Sequence, residues 1–131
     1  MIEEQLKTLI AARKLIENPN QWIKGAIART ARGYECEAES GTARCFCAIG
    51  AVRRARHDLT GTPFGSYPTV NRLRDAVQLE NPNRIEGESE CLNTMTVADY
   101  NDRPQTTHAD VLALYDRAIA ATKAELQGGT V

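Results

Sequence analysis

No stretch of this 131-residue chain approaches the roughly 18 consecutive apolar residues that a membrane-spanning helix requires. Aromatic residues are scarce, with two Phe, one Trp and four Tyr, so a core must rest on Leu, Ile, Val and Ala. A basic excess is also missing: 16 Lys and Arg stand against 17 Asp and Glu, with a pI near 6.1. That balance argues against generic nucleic-acid binding. Neither Gly-x-x-x-x-Gly-Lys nor Gly-x-Gly-x-x-Gly after a strand occurs, which excludes the familiar phosphate-cradling loops. The opening residues, Met-Ile-Glu-Glu-Gln-Leu, carry acid where a secretory signal carries base. The expectation is a cytoplasmic protein without a membrane partner.

What is present has the composition of one ordinary globular domain, 42% hydrophobic and 25% charged, with an ordered core expected over residues 2 to 126. Ile2, Leu6, Leu9, Ile10, Leu15 and Ile16 fall at helical spacing, with acids in the first turn and bases in the last. Asn18-Pro19-Asn20 stops that helix. Residues 25 to 38 read as a β-hairpin, turning at Ala31-Arg32-Gly33 and placing Tyr34, Cys36 and Ala38 on one face. Thr42 is the expected N-cap of a helix over 43 to 58, with Cys45, Ala48, Ile49, Val52, Ala55 and Leu59 along its buried stripe. Gly50 sits inside that stripe at a cost of about 1 kcal/mol relative to Ala. It implies close approach of another backbone, and the helix is expected to pack centrally against the first and last helices through Gly50 and Ala51.

A third helix follows Pro68 and ends near Leu79, and residues 87 to 93 read as an acidic loop with a short helical turn over 94 to 100. Thr107 and Asp110 form a capping box for the last helix, whose apolar face carries Val111, Leu114, Tyr115, Ala118, Ile119 and Leu126. The fold class expected is α+β, predominantly helical, with about four helices packed on one β-hairpin.

Four candidate chemistries follow from the residues. Cys36, Cys45, Cys47 and Cys91 could supply thiolates to zinc, but a Cys-x-Cys pair replaces the usual knuckle spacing and no second pair exists, so no metal or other cofactor is expected. In a reducing compartment the four are not read as disulfides, and in an oxidising one they would allow three pairings. Cys47 or Cys45 with His108, oriented by Asp102, has the residue types of a thiol nucleophile and its base, the basis of an alternative reading as a cysteine-dependent hydrolase or transferase. Asn101, Asp102 and Asp110 could serve acid–base or divalent-metal work, although Asn-Asp-Arg-Pro is also an ordinary turn and Asp110 is already engaged as a cap.

The fourth is a partner-binding surface, suggested by segregated charge. Seven Lys or Arg against three Glu occupy residues 18 to 57, and six acids against Arg84 occupy residues 80 to 102. Arg44, Arg53, Arg56 and His57 are the expected basic face, and Glu86, Glu88 and Glu90 the acidic one. Trp22, the lone tryptophan, is expected in the core.

Trp22, the segment Cys47-Ala48-Ile49-Gly50-Ala51, Asn101-Asp102 before Thr107-x-x-Asp110-Val111, Leu114 and Arg117-Ala118-Ile119 together resemble a family of small uncharacterised bacterial and phage proteins, over roughly residues 5 to 122. That family usually carries Glu at the cap, where this chain has Asp110. The resemblance implies a fold and a phage or mobile-element setting, and no activity. By analogy with small accessory proteins of phages, the expected role is non-enzymatic: binding a host protein or protein complex, for example as an inhibitor of a host defence complex.

Overall fold

The computed structural model describes residues 1–80 and 90–128. Helix α1 spans Ile2–Leu15, with Glu3 and Glu4 in its first turn and Arg13 and Lys14 in its last. It buries Thr8, Leu9 and Ala12, and the Thr8 hydroxyl donates to Glu4 O at 2.8 Å, which lets a polar side chain sit in the interface. Asn18 ends the helical path by capping a short 3₁₀ turn, Pro19–Gln21: its side chain accepts from Asn20 N while Gln21 accepts from Asn18 N.

Three short strands follow: β1 at Ala28–Thr30, β2 at Glu35–Cys36 and β3 at Ala43–Phe46. They form an antiparallel sheet in the order β2-β1-β3, with Ala28 opposite both Cys36 and Phe46. The hairpin expected over 25 to 38 is thus present as β1 and β2. Cys36 packs against the core and Ala38 is buried, whereas Tyr34 lies beyond the strand and is 68% exposed.

The third strand corrects the reading of residues 43 to 46 as helix. Ala43 and Phe46 point inward and Arg44 outward, and their backbone completes the free side of β1. Helix α2 therefore starts later, at Ala48–Thr60, and is capped by Cys47 instead of Thr42. The Cys47 thiol accepts from Gly50 N at 3.3 Å. Helix α2 stops at Gly61, whose φ of 89° closes the last turn in the left-handed region. Its stripe from Ala48 to Ala55 is buried, but Leu59, expected on the same stripe, is 51% exposed.

Gly50 does meet another backbone. A Cβ there would lie 2.0 Å from Ile27 O, so the contact is with the entry to β1 and not with a neighbouring helix. Helix α2 packs along α1, while the last helix reaches it through Tyr115, whose hydroxyl donates to Ala48 O at 2.6 Å.

Helix α3 covers Tyr67–Glu80, α4 covers Glu90–Asp102 and α5 covers His108–Gly128. The count of helices among the described residues is five, not four. The additional one, α4, absorbs both the expected turn over 94 to 100 and Asn101-Asp102. Residues 87 to 89 of the expected acidic loop lie outside the described residues, and residues 90 to 93 are helical. Both hydrogen bonds of the capping box at α5 form: Thr107 N to Asp110 Oδ2 at 2.9 Å and Asp110 N to Thr107 Oγ1 at 3.1 Å. Thr122 is buried on α5 because its hydroxyl donates to Ala118 O at 2.7 Å. Leu9, Val52, Leu73, Val97, Leu114 and Tyr115 bring all five helices into one apolar core, with Phe46 joining it from the sheet.

Candidate functional site

Trp22, the start of Cys47–Ala51 and Asn101-Asp102 meet at the N-terminus of α2, with Asn101 at the centre. Asn101 is on the last turn of α4 and is 1% exposed. Its Oδ1 accepts from Trp22 Nε1 at 2.7 Å and from Ala48 N at 3.0 Å. Its Nδ2 donates to Ile23 O at 3.0 Å and to Asp102 Oδ1 at 2.9 Å. One amide thus joins α4, the start of α2 and the segment leading into β1, using both donors and both acceptor sites. Asp102 Oδ1 also accepts from Gly25 N at 3.0 Å, and Lys24 Nζ donates to Arg103 O at 2.5 Å while lying 5.6 Å from the centre of the Trp22 ring.

The sequence offered Asn101 either for acid–base or divalent-metal work or as part of an ordinary turn, and not as a hub. Its hub role was signalled by spacing: Val97, Tyr100 and Asn101 fall at i, i+3 and i+4, and all three are buried. Trp22, expected in the core, is half-buried, with its ring on the core margin and its N–H on Asn101.

The candidate thiol chemistry is laid out differently from a nucleophile and its base. Cys47 is 5% exposed, and its sulfur is engaged as the α2 cap. Burial pushes its thiol pKa up, and the Asp102 charge pushes the same way, outweighing the Gly50 and Ile49 N–H groups that favour the thiolate. His108 turns elsewhere: its Nε2 donates to Ile16 O at 2.7 Å, and its ring lies 5.9 Å from Trp22. Asp102 Oδ1 faces Gly25 and Asn101. Cys45 is on β3, half-buried, with its thiol 3.6 Å from Arg29 O. Among the described residues no three His, Cys, Asp or Glu side chains come together as metal ligands. The Cys91 side chain lies outside those residues.

Tyr115 sits directly under this cluster, fully buried, and burial together with Cys47 raises its phenol well above the ordinary value of 10.0. Cys47, ordinarily 9.0, is raised as well. In the folded protein both groups retain their protons beyond the pH at which the unfolded chain releases them, so the unfolded state binds fewer protons above about pH 9 and stability falls as pH rises further. Melting temperature measured from pH 7 to 11 should decline beyond pH 9, and Cys47→Ser should soften the first part of that decline. An identical pH profile in the variant would remove Cys47 from the account.

The expected basic face is divided by the fold. Arg44 is on β3, away from α2, with one guanidinium nitrogen donating to Gly41 O and Ala43 O. Arg53 is half-buried and makes no hydrogen bond or ion pair among the described residues. Arg56 donates to Phe64 O at 3.3 Å and reaches Glu4 at 3.5 Å, and His57 Nδ1 lies 3.6 Å from Asp58. Of the expected acidic face, Glu86 and Glu88 lie outside the described residues, and Glu90 begins α4 with its side chain outside them.

The surface that sequence reading missed is the seam between α1 and α2. Two adjoining depressions of about 290 and 260 Å³ meet at Leu59. Ala11, Leu15 and Ala55 line one, Arg56 lines the other, and Lys7 and Lys14 stand along the α1 side without ion pairs among the described residues. Phe64, in the loop after α2, is 80% exposed. The signal for this seam, an apolar stripe on α2 running one turn too far at Leu59, was present but pointed to core.

The family model that matches covers residues 2–121, nearly the whole chain and all of the motif cluster. The chain belongs to DUF6197, a family of unknown function. No curated protein and no solved structure matches it. In this DUF6197 member, Trp22, Cys47, Asn101 and Asp102 serve as one polar staple, since each bonds to backbone or to another of the four. Among the described residues no helix is long and apolar enough to cross a membrane.

Proposed function

We propose that this protein works by binding a macromolecular partner and not by catalysis, with the α1–α2 seam as the docking surface. The observation that carries the reading is a contrast between two regions. The motif cluster is closed upon itself, whereas Leu59 remains exposed in the seam beside Lys7 and Lys14, which form no ion pair among the described residues, and Phe64 is exposed in the loop whose carbonyl holds Arg56. Large apolar side chains grouped with cations suit a hydrophobic anchor ringed by charge. Arg53 and His57, also on α2, stand outside the residues that line the seam and would meet a partner only at its margin.

The partner in this reading is a host protein or protein complex, met in the cytoplasm. A phage or mobile-element setting, with inhibition of a host defence complex as one form of the role, rests on analogy with small accessory proteins. Affinity capture with the full chain tests it. Wild type and Cys47→Ser should retain the same partner, while Leu59→Asp, and Lys7→Glu with Lys14→Glu, should lower its recovery about tenfold or more at unchanged melting temperature. Equal recovery by the seam variants would exclude that surface. Loss of function in a folded Cys47→Ser protein would favour the cysteine-dependent enzyme.

A further inference from the structure

The tip of the hairpin is a second surface, away from the seam and independent of the reading above. Its turn is braced from within: Thr30 N donates to Tyr34 O at 2.8 Å, Gly33 N to Thr30 O at 2.9 Å, and the Arg29 guanidinium to Gly33 O at 2.9 Å. Gly33 supplies the left-handed corner with φ of 89°. Yet this rigid tip holds Tyr34 out into solvent, 68% exposed.

Beside Tyr34 lies an open depression of about 360 Å³, lined by Thr30, Ala31, Arg32, Tyr34, Thr42 and Arg44. No carboxylate lines it; Glu35 and Glu37 are outside its wall. The two arginines differ usefully. Arg44 is tied to the Gly41 and Ala43 carbonyls through one nitrogen, at 3.0 and 2.9 Å, so its guanidinium plane is fixed before any ligand arrives. Arg32 is exposed and makes no hydrogen bond or ion pair among the described residues, leaving all its donors available.

The geometry points to a binding site for a nucleoside phosphate, with the phosphate taken by Arg32 and Arg44 and the base laid on the Tyr34 ring. Guanidinium groups match phosphate oxygens, and an exposed aromatic face accepts a base whatever its sequence. The near-neutral charge of the whole chain does not oppose this, because one local subsite needs two cations and not a basic surface. Such a ligand can be a free nucleotide or a residue of a single strand, and the chemistry at the subsite is shared.

The test is a titration of the full ¹⁵N-labelled chain with adenosine monophosphate, adenosine, inorganic phosphate, a short oligothymidylate and a Glu-rich peptide. Adenosine monophosphate should give saturable shifts at residues 30 to 34 and 42 to 44, binding about tenfold or more tightly than adenosine or phosphate alone. Arg32→Ala with Arg44→Ala should abolish the gain from the phosphate. Tyr34→Ala should weaken binding about fivefold or more while Tyr34→Phe retains it, because the stacking face is kept. An oligothymidylate that binds more tightly than the mononucleotide, with steep salt dependence, identifies a strand as the source, and equal affinities identify a free nucleotide. Absence of saturable shifts up to about 10 mM nucleotide, well beyond millimolar affinity, overturns the proposal. So does binding of the Glu-rich peptide alone, or nucleotide binding that survives loss of both arginines in a folded protein.

Discussion

Gly50→Ala should be the most damaging single methyl group that can be added to this protein. The new Cβ would sit 2.0 Å from Ile27 O and 2.9 Å from the carbonyl carbon, inside any tolerable contact. Neither atom belongs to a flexible side chain, so relief requires moving α2 away from the strand entry. That movement also breaks the hydrogen bond from Cys47 N to Ile27 O at 3.1 Å. Overpacking of a core commonly costs about 1–3 kcal/mol, and a clash with fixed backbone belongs at or beyond the upper end. Thermal denaturation should show a fall of about 10 °C or more, or failure to fold. Gly41→Ala is the control: its Cβ would meet nothing within 4 Å, and its melting should shift by less than about 0.5 kcal/mol equivalent. A Gly50→Ala protein that melts like wild type would show that the approach of Ile27 to α2 is not as described.

Asn101→Ala carries the second large effect. It strands three groups at once: Ala48 N, which is buried, and Trp22 Nε1 and Ile23 O, which are part-buried. Each unsatisfied group costs about 1–3 kcal/mol, so a loss of at least about 3 kcal/mol is expected in chemical denaturation. Asn101→Asp retains the shape but supplies no donor to Ile23 O, and it sets a second carboxylate beside Asp102, so it should rescue little. Trp22→Phe removes only one donor and leaves Asn101 bonded to Ala48, and should cost about 1 kcal/mol from the lost hydrogen bond. The ordering of these variants separates a shared hub from independent contacts. A smaller effect for Asn101→Ala than for Trp22→Phe would refute the hub.

The parts of this fold legible in the chain were those governed by local periodicity and local capping. Helix α1, the β1–β2 hairpin and the capping box at α5 each depend on residues within a few positions of one another, and they appear where local signals put them. Gly50 was legible too, because a glycine inside a helical stripe costs stability unless something approaches it closely. What approaches was not, since Ile27 lies 23 positions away along the chain.

Residues 43 to 47 show where local reading fails. Ala43-Arg44-Cys45-Phe46 suits either a helix start or a strand, and the free side of β1 decides for the strand. That decision displaced the cap from Thr42 to Cys47 and separated Arg44 from the arginines of α2. Thr42 instead shares a hydrogen bond with Ser40, at 2.8 Å between their hydroxyl oxygens.

By itself the sequence determined a mostly helical α+β protein, its first and last helices, its hairpin and the inventory of side chains available for chemistry. Tertiary structure alone decided how that inventory is used: Asn101 as a buried hub, Cys47 as a protonated cap, His108 on the Ile16 carbonyl, and Leu59 with Phe64 at the surface. The physical reason is range. Periodicity and capping act within one or two turns, whereas burial, hydrogen-bond partnership and pKa depend on segments as much as 103 positions apart, the span from Arg13 to its partner Asp116.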